Sequence, residues 1–402
     1  MLIQKIKFWS RFFFKVKLSF RFPQKAKILL VDNEGSETVK QILNLKNCEV
    51  VYTRKECFSF PIILLLAFNF KLNIFNYYLK FIEISDPSLV ITFIDNNILF
   101  YKFKKYFKNK KFISIQNGHR MAYRDIFGLL KNNKIKKNNL SADYIITFNK
   151  NIAKEYEKHI NSKFIPSGSI KNNYVKIGQP KKKYNNYILF ISAYRDKLTK
   201  IQNGNLTLND YDALSFPQHH NKRYKYFLQE HIHFDLPKFL QIYCEKNKLK
   251  LAILGMSNMM QEENFYRRII KRDFKFIKKR NLYSNYKIID DYSLAVSTWS
   301  TLGYEALARG NKICFFSPKL SNYEKSYKFG WPYVKKKKDF FFTDKCNYLE
   351  IEKIIDKLRF MKLKTWKKKI NNYQKELMLY DKNNSVLKKK ISGLLNKSNS
   401  IL

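Results

Sequence analysis

At 402 residues, with 45% hydrophobic content, 35 Phe and 27 Tyr, the chain has enough apolar material for two folded cores, which excludes a disordered tail. The formal charge of +46 is carried by 78 basic residues, only 13 of them Arg, and Lys travels with Asn, Ile, Phe and Tyr; such charge describes solvated surface first and an anionic partner second. Five cysteines, scattered, odd in number and never spaced as CxxC, fit a reduced, cytoplasmic compartment best, and Cys48 and Cys57, the one pair close in sequence, read as core thiols rather than a bridge or half a zinc site.

Residues 1–24 are basic and aromatic, without the continuous apolar core or small-residue cleavage site of a secretory signal. Lys and Arg mixed with Phe and Trp suit an anionic bilayer surface, and a loosely ordered lead-in accounts for them equally. From residue 25 a pattern repeats. "KAKILLVD" (25–32) is an apolar run closing on the polar loop "NEGSE", followed by the helical "TVKQIL", as a parallel strand feeds a crossover helix. "PSLVITFIDNN" (87–97), "KFISIQNG" (111–118) and "ADYIITFN" (142–149) repeat it. "FPIILLLAF" (60–68) is far short of the roughly 20 residues that span a membrane and is expected as a buried helix. A Rossmann-like lobe is expected over 25–164, with the loops at its strand ends along one edge.

Residues 165–186, rich in Pro, Gly, Ser, Asn and Lys, have linker composition. Strand patterns resume at "YILFISAYRD" (187–196), "LKLAILG" (249–255), "LAVS" (294–297) and "KICFFS" (312–317), which gives a second Rossmann-like lobe over 187–334. Residues 335–402 read as a Lys-rich helical extension. The fold class expected is α/β, two such lobes facing a central cleft, where ligands are favoured.

In "LAVSTWSTLGYEALARGNKICFF" a strand passes through a Ser/Thr-rich loop into a short helix that Gly310 ends. Ser300 stands at the N-cap and Thr301 follows, so hydroxyls and free backbone N–H groups converge on the positive end of the helix dipole, a phosphate cradle in outline. Gly303 removes a side chain where a ligand would otherwise meet one, at a cost of ~1 kcal/mol of helix stability relative to Ala. Glu305, one turn in, can accept hydrogen bonds from ribose hydroxyls. Ordinary capping, with no ligand, explains the same residues as well.

"STLGYEALARGNKI" resembles the nucleotide-binding helix of two-domain GT-B glycosyltransferases. With "ILLVDNEGSE", "LVITFIDNN", "FISIQNGHR", "IPSGSIKNN" and "ILFISAYRD", the chain is similar to the bacterial surface-carbohydrate (O-antigen, capsule) biosynthesis proteins of that superfamily over most of residues 28–316. The resemblance implies that Ser300, Thr301 and Leu302 contact the donor phosphate and Glu305 the ribose. It also implies a nucleotide sugar as substrate, no separate cofactor and a glycan or lipid-linked acceptor. CMP-activated acidic sugars such as CMP-Kdo are slightly favoured over UDP or GDP donors.

Glycosyl transfer needs a base near the acceptor hydroxyl and donors or cations at the departing phosphate. Strand-end residues supply the candidates: Glu34, Asp95 and His119 for base or acceptor contact, and Arg195, whose planar fork suits phosphate. "DYD" (210–212) has a metal-binding form but lies in a polar insert. His219, His220, His231, His233 and Asp235 resemble part of a metallo-hydrolase set that later histidines would have to complete, and none follows. The expectation is metal-independent transfer at the cytoplasmic face of the inner membrane, where the basic terminal regions hold the protein against anionic lipid. The alternatives are a teichoic-acid-type polyol-phosphate transferase and a non-enzymatic basic protein binding RNA or membrane; no RNA-binding module signature is present, so no specific nucleic-acid partner is expected.

Overall fold

The computed structural model describes residues 16–54, 56–122, 125–132, 137–178, 183–203, 227–256, 260–281, 283–317, 329–345 and 347–399. The chain divides into two compact units. The first comprises residues 1–117, 130–174 and 381–402, the second 118–129 and 175–380.

In the first unit, β1 (Lys17–Ser19) pairs in parallel with β4 (Cys57–Ser59) as a small separate sheet. The main sheet is six-stranded and parallel. It contains β2 (Ile28–Val31), β3 (Cys48–Val51), β5 (Leu89–Thr92), β6 (Lys111–Ile115), β7 (Ser141–Thr147) and β8 (Asn161–Pro166), in the order β3-β2-β5-β6-β7-β8. Strands β2 and β5 are buried at every position, as continuous apolar runs with helices on both faces should be. The strand order reverses between β2 and β5, so the loops at 32–35 and 93–97 flank the point where open α/β sheets bind ligands. Gly35 opens the Ser36–Leu43 helix at φ +80°, and a Cβ there would lie 2.4 Å from the Phe93 ring, so only glycine fits.

The second unit has a seven-stranded sheet. Its strands are β9 (Tyr187–Ile191), β10 (Lys250–Leu254), β11 (Lys275–Ile277), β12 (Ala295–Ser297), β13 (Ile313–Phe316), β14 (Lys338–Asp339) and β15 (Phe342–Thr343), in the order β11-β10-β9-β12-β13-β15-β14. All pairs are parallel except the edge pair β14–β15. The reversal falls between β9 and β12, where Ile191 is level with Ser297.

The fold class is the one expected, α/β with two Rossmann-like sheets. The part played by residues 335–402 differs from a separate extension. β14 and β15 complete the second sheet, and the Tyr348–Phe360 helix packs on β13 and β15. Trp366, in the Leu363–Leu377 helix, is fully buried and donates from its indole to the Gly310 carbonyl (3.1 Å), while Gln374 donates to those of Leu307 (2.8 Å) and Ala308 (3.1 Å). These bonds satisfy the carbonyls left open where the Thr301–Ala308 helix ends. Residues 381–399 return to the first unit, where the buried Asn384 side chain bonds the Ile170 carbonyl (2.9 Å) and Asn173 (3.1 Å). Lys-rich composition hid a regular apolar spacing, Ile351, Ile354, Ile355 and Leu358, that buries one helix face.

The Phe60–Phe68 helix is present, but only Ile62, Ile63 and Leu66 are buried; the opposite face is apolar and exposed. Among the described residues no helix is long and apolar enough to cross a membrane. Cys48, Cys57, Cys244 and Cys314 are free thiols.

Candidate functional site

In the second unit the loops leaving β9 and β12 lie on adjacent strands at the reversal point. From β12 the chain runs through Thr298 and Trp299 to Ser300, which takes extended N-cap geometry (φ −61°, ψ 135°) before the Thr301–Ala308 helix. The Ser300 carbonyl accepts from the Gly303 amide (2.9 Å), but the Ser300 hydroxyl makes no capping bond. The amides of Thr301 and Leu302 sit in the first turn, where no intrahelical acceptor exists. Beneath them, Ser297 Oγ and Thr298 Oγ1 are buried without a hydrogen-bond partner among the described residues.

The Thr301 hydroxyl accepts from the backbone N–H of His119 (2.9 Å), which leaves its own hydrogen available to donate. The His119 ring stacks on Tyr304, centroids 4.2 Å apart and planes 14° from parallel. Burial, and to a lesser extent the neighbouring Arg120 guanidinium, pushes the imidazole pKa down to about 3, so the ring is neutral at physiological pH. His119 was expected beside the first-lobe candidates, because it follows a strand of that lobe. Residues 118–129 instead belong to the second unit, which places His119 at the N-terminus of the Thr301–Ala308 helix.

Arg195 stands exposed at the end of the β9 loop, where its carbonyl accepts from Leu198 (2.8 Å) as the Asp196–Gln202 helix begins. That loop rests on a buried network. Ser192 Oγ donates to Glu262 (2.6 Å) and lies 2.8 Å from the Tyr266 hydroxyl, and Glu262 also accepts from the Met256 amide (3.0 Å). The carboxylate thus ties the loops after β9 and β10 together.

Two expected roles change. Gly303 faces inward: a Cβ would lie 2.7 Å from Ser297 Oγ and 2.9 Å from the Phe315 ring, so the glycine lets the helix close on β12 and β13 and clears nothing for a ligand. Glu305 is only 5% exposed, and its Oε1 accepts from the Tyr286 hydroxyl (3.0 Å) on the Ser284–Asp291 helix. Its carboxylate therefore has a packing partner where the resemblance implied a ribose. Leu302 is half-buried and offers the site its backbone amide.

In the first unit the carboxylates separate by environment. Asp95 is fully buried; its Oδ1 accepts from the Asn117 amide (3.0 Å), its Oδ2 from the Tyr156 hydroxyl, and its carbonyl from Tyr101 (2.7 Å). It organises the loop after β6 and is not available to an acceptor, which corrects its assignment as a base. Asp32, at φ +81°, accepts from Thr53 (2.7 Å), Arg54 (3.1 Å) and the Glu34 amide (2.9 Å). Glu34 is exposed and paired with the half-exposed Arg54. Of the two first-unit candidates, Glu34 alone remains accessible.

His233 is buried with its ring edge-on to Trp299, centroids 4.9 Å apart, so it supports the cradle loop. Among the described residues no three His, Cys, Asp or Glu side chains gather as metal ligands. Asp210, Asp212, His219 and His220 lie outside the described residues, as does the side chain of His231. Sequence reasoning missed Tyr304, Tyr156 and Tyr286, each the partner of a candidate. Twenty-seven tyrosines give no signal that singles out these three.

Among solved structures the chain is similar to MnaA of S. aureus, determined with UDP (10% identity, 94% of this chain and 98% of that one, TM-score 0.52). It is similar also to a histidine-to-alanine variant of the wall teichoic acid polymerase TagF (11% identity, 93% and 89%, TM-score 0.50). Sucrose-phosphate synthase from Thermosynechococcus elongatus is a further relative in fold (10% identity, 94% and 100%, TM-score 0.50). At these identities the likeness is one of fold, two Rossmann-like units of the GT-B type. No curated protein matches the chain in sequence. A family model described as "putative O-antigen biosynthesis protein" matches residues 113–397, and with that match over most of its length the chain belongs to this family of surface-carbohydrate biosynthesis proteins.

Proposed function

We propose that the protein is a glycosyltransferase that holds a nucleotide sugar at the N-terminus of the Thr301–Ala308 helix and passes the sugar to a surface polysaccharide or lipid-linked glycan without a metal ion or separate cofactor. One observation carries the reading. At the reversal point of the second sheet, the Ser300 hydroxyl is not spent on capping and the Thr301 hydroxyl is oriented by the His119 amide with its hydrogen left over. First-turn amides and hydroxyls at such a point suit an anion.

As the bond from sugar to phosphate breaks, negative charge grows on the leaving phosphate. The amides of Thr301 and Leu302, the Thr301 hydroxyl and Arg195 offset that charge. A His119 pKa of about 3 is a poor match for a general base near neutral pH, whereas a neutral imidazole still donates one hydrogen bond, so His119 acts at the leaving group. Glu34 takes the proton of the acceptor hydroxyl. A ribose contact by Glu305 would add to the bond that its Oε1 accepts from Tyr286. A CMP-activated acidic sugar is the favoured donor, and UDP and GDP donors fit the same residues.

Similarity to a teichoic acid polymerase favours a second reading, transfer of a polyol phosphate, which uses the same anion cradle. Calorimetry with CMP, UDP and GDP tests the cradle: one nucleotide should bind, and Thr301→Val should weaken it at least tenfold. Wild-type protein that binds none of the three would refute the reading. Mass spectrometry of the product then separates glycosyl from phosphopolyol transfer.

A further inference from the structure

We propose that the first unit docks on the surface of an anionic lipid bilayer through a strip formed by residues 20–22, the outer face of the Phe60–Phe68 helix and the turn at 69–74. The pairing of β1 with β4 sets Ser19 level with Ser59. The next residues, Phe20 and Phe60, therefore meet, ring centroids 5.4 Å apart, and Ser59 Oγ bonds the Arg21 carbonyl (2.8 Å). Segments far apart in sequence thus form one surface.

That surface is apolar where a soluble helix would be polar. Phe20 is 73% exposed, Phe22 53%, Leu64 41%, Phe68 80%, Phe70 98% and Leu72 40%. The turn is ordered: the Phe70 amide bonds the Ala67 carbonyl (3.0 Å), Lys71 bonds that of Leu66 (2.9 Å), and Asn69 and Asn76 side chains bond the Leu65 (2.7 Å) and Lys71 (2.8 Å) carbonyls. Phe70 is held at φ +53°, uncommon for a bulky residue, with its ring in water. An exposed apolar patch of this kind marks an interaction surface.

Charge selects the occupant. Arg21 lies between Phe20 and Phe22, and Lys71 between Phe70 and Leu72. No Asp or Glu occurs from Lys17 to Val31 or from Cys57 to Ile82. A second copy on this strip would set Arg21 and Lys71 against like charges, and neither segment of the strip carries an acid of its own to offset them. An anionic bilayer supplies headgroup phosphates for the cations and an apolar layer for the rings between them. Docking of this kind does not require the transferase reading.

Flotation of the full chain with phosphatidylglycerol/phosphatidylcholine vesicles tests it. The protein should float with anionic vesicles and far less with phosphatidylcholine alone. Phe68→Ser/Phe70→Ser should weaken binding at least tenfold with unchanged melting temperature, since both rings are exposed. Arg21→Glu/Lys71→Glu should weaken it on anionic vesicles. Phe70→Trp places a reporter at the tip, and its emission should shift to the blue when vesicles are added. Wild-type binding by both double variants, or an indole emission from the Phe70→Trp variant that vesicles leave unshifted, would overturn the proposal. So would a wild-type dimer that Phe68→Ser/Phe70→Ser converts to monomer while vesicle binding persists.

Discussion

His119 lies flat on Tyr304 while its backbone N–H is bonded to Thr301, so two residues of a single helix fix both ends of one loop residue. The ring is carried to the start of that helix and is kept uncharged there by burial and the neighbouring Arg120.

Stability should depend on pH through this ring. In the unfolded chain a histidine titrates near 6.5, and in the folded protein His119 does so at about 3. Between those values the unfolded state binds the extra proton, so the stability His119 contributes is present above pH 6.5 and is lost as pH falls toward 3. Urea unfolding at pH 6.5, 5.5 and 4.5 should show a shallower slope in His119→Gln than in wild type, by at most about 1.4 kcal/mol per pH unit. The His119 ring resonances should not move between pH 5 and 8. If the ring acts as a neutral donor, His119→Gln retains more turnover than His119→Phe.

Thr301→Val keeps the shape of the side chain but leaves the His119 amide without its acceptor. The expected loss is about 1 kcal/mol of stability by denaturant titration. Nucleotide affinity should fall about tenfold, a larger effect than the change in folding.

Gly303→Ala separates packing from binding. Alanine raises helix propensity by ~1 kcal/mol, but its Cβ would press on Ser297 and the Phe315 ring, and overpacking of this kind costs about 1–3 kcal/mol. The melting temperature should fall, while the folded protein keeps its nucleotide affinity within about twofold. Ser297→Gly in the same chain should recover part of the loss.

Asp95 and Glu34 should fail in opposite ways. Asp95→Ala strips Tyr156 and the Asn117 amide of a buried acceptor and should cost about 3 kcal/mol by urea unfolding. Glu34→Gln, on an exposed side chain, should leave stability within about 0.5 kcal/mol and lower turnover.

The central strands were legible because burial on both faces writes a strand as an unbroken apolar run, as in Ile28–Val31 and Ile313–Phe316. The Ser300–Thr301 turn was legible because capping chemistry is local. Long-range partners left no such trace. Asp95 and Glu34 both follow strand ends, and only Tyr156 and Asn117, distant in sequence, make one of them structural. Gly303 looked like a ligand position because the same small residue serves either close packing or close approach, and sequence does not say which neighbour is near. His119 was placed with the wrong unit because contact, not chain order, decides where residues 118–129 pack.

The return of residues 381–399 to the first unit bears on synthesis. Asn384, at φ +57°, together with buried Leu387 and Ile391, completes a body whose strands leave the ribosome more than two hundred residues earlier. That half must wait, partly assembled and with apolar surface uncovered, while its neighbour is translated. A shortened gene ending at Tyr380 would strand the earlier half as a chaperone client, even though all its sheet strands had been made.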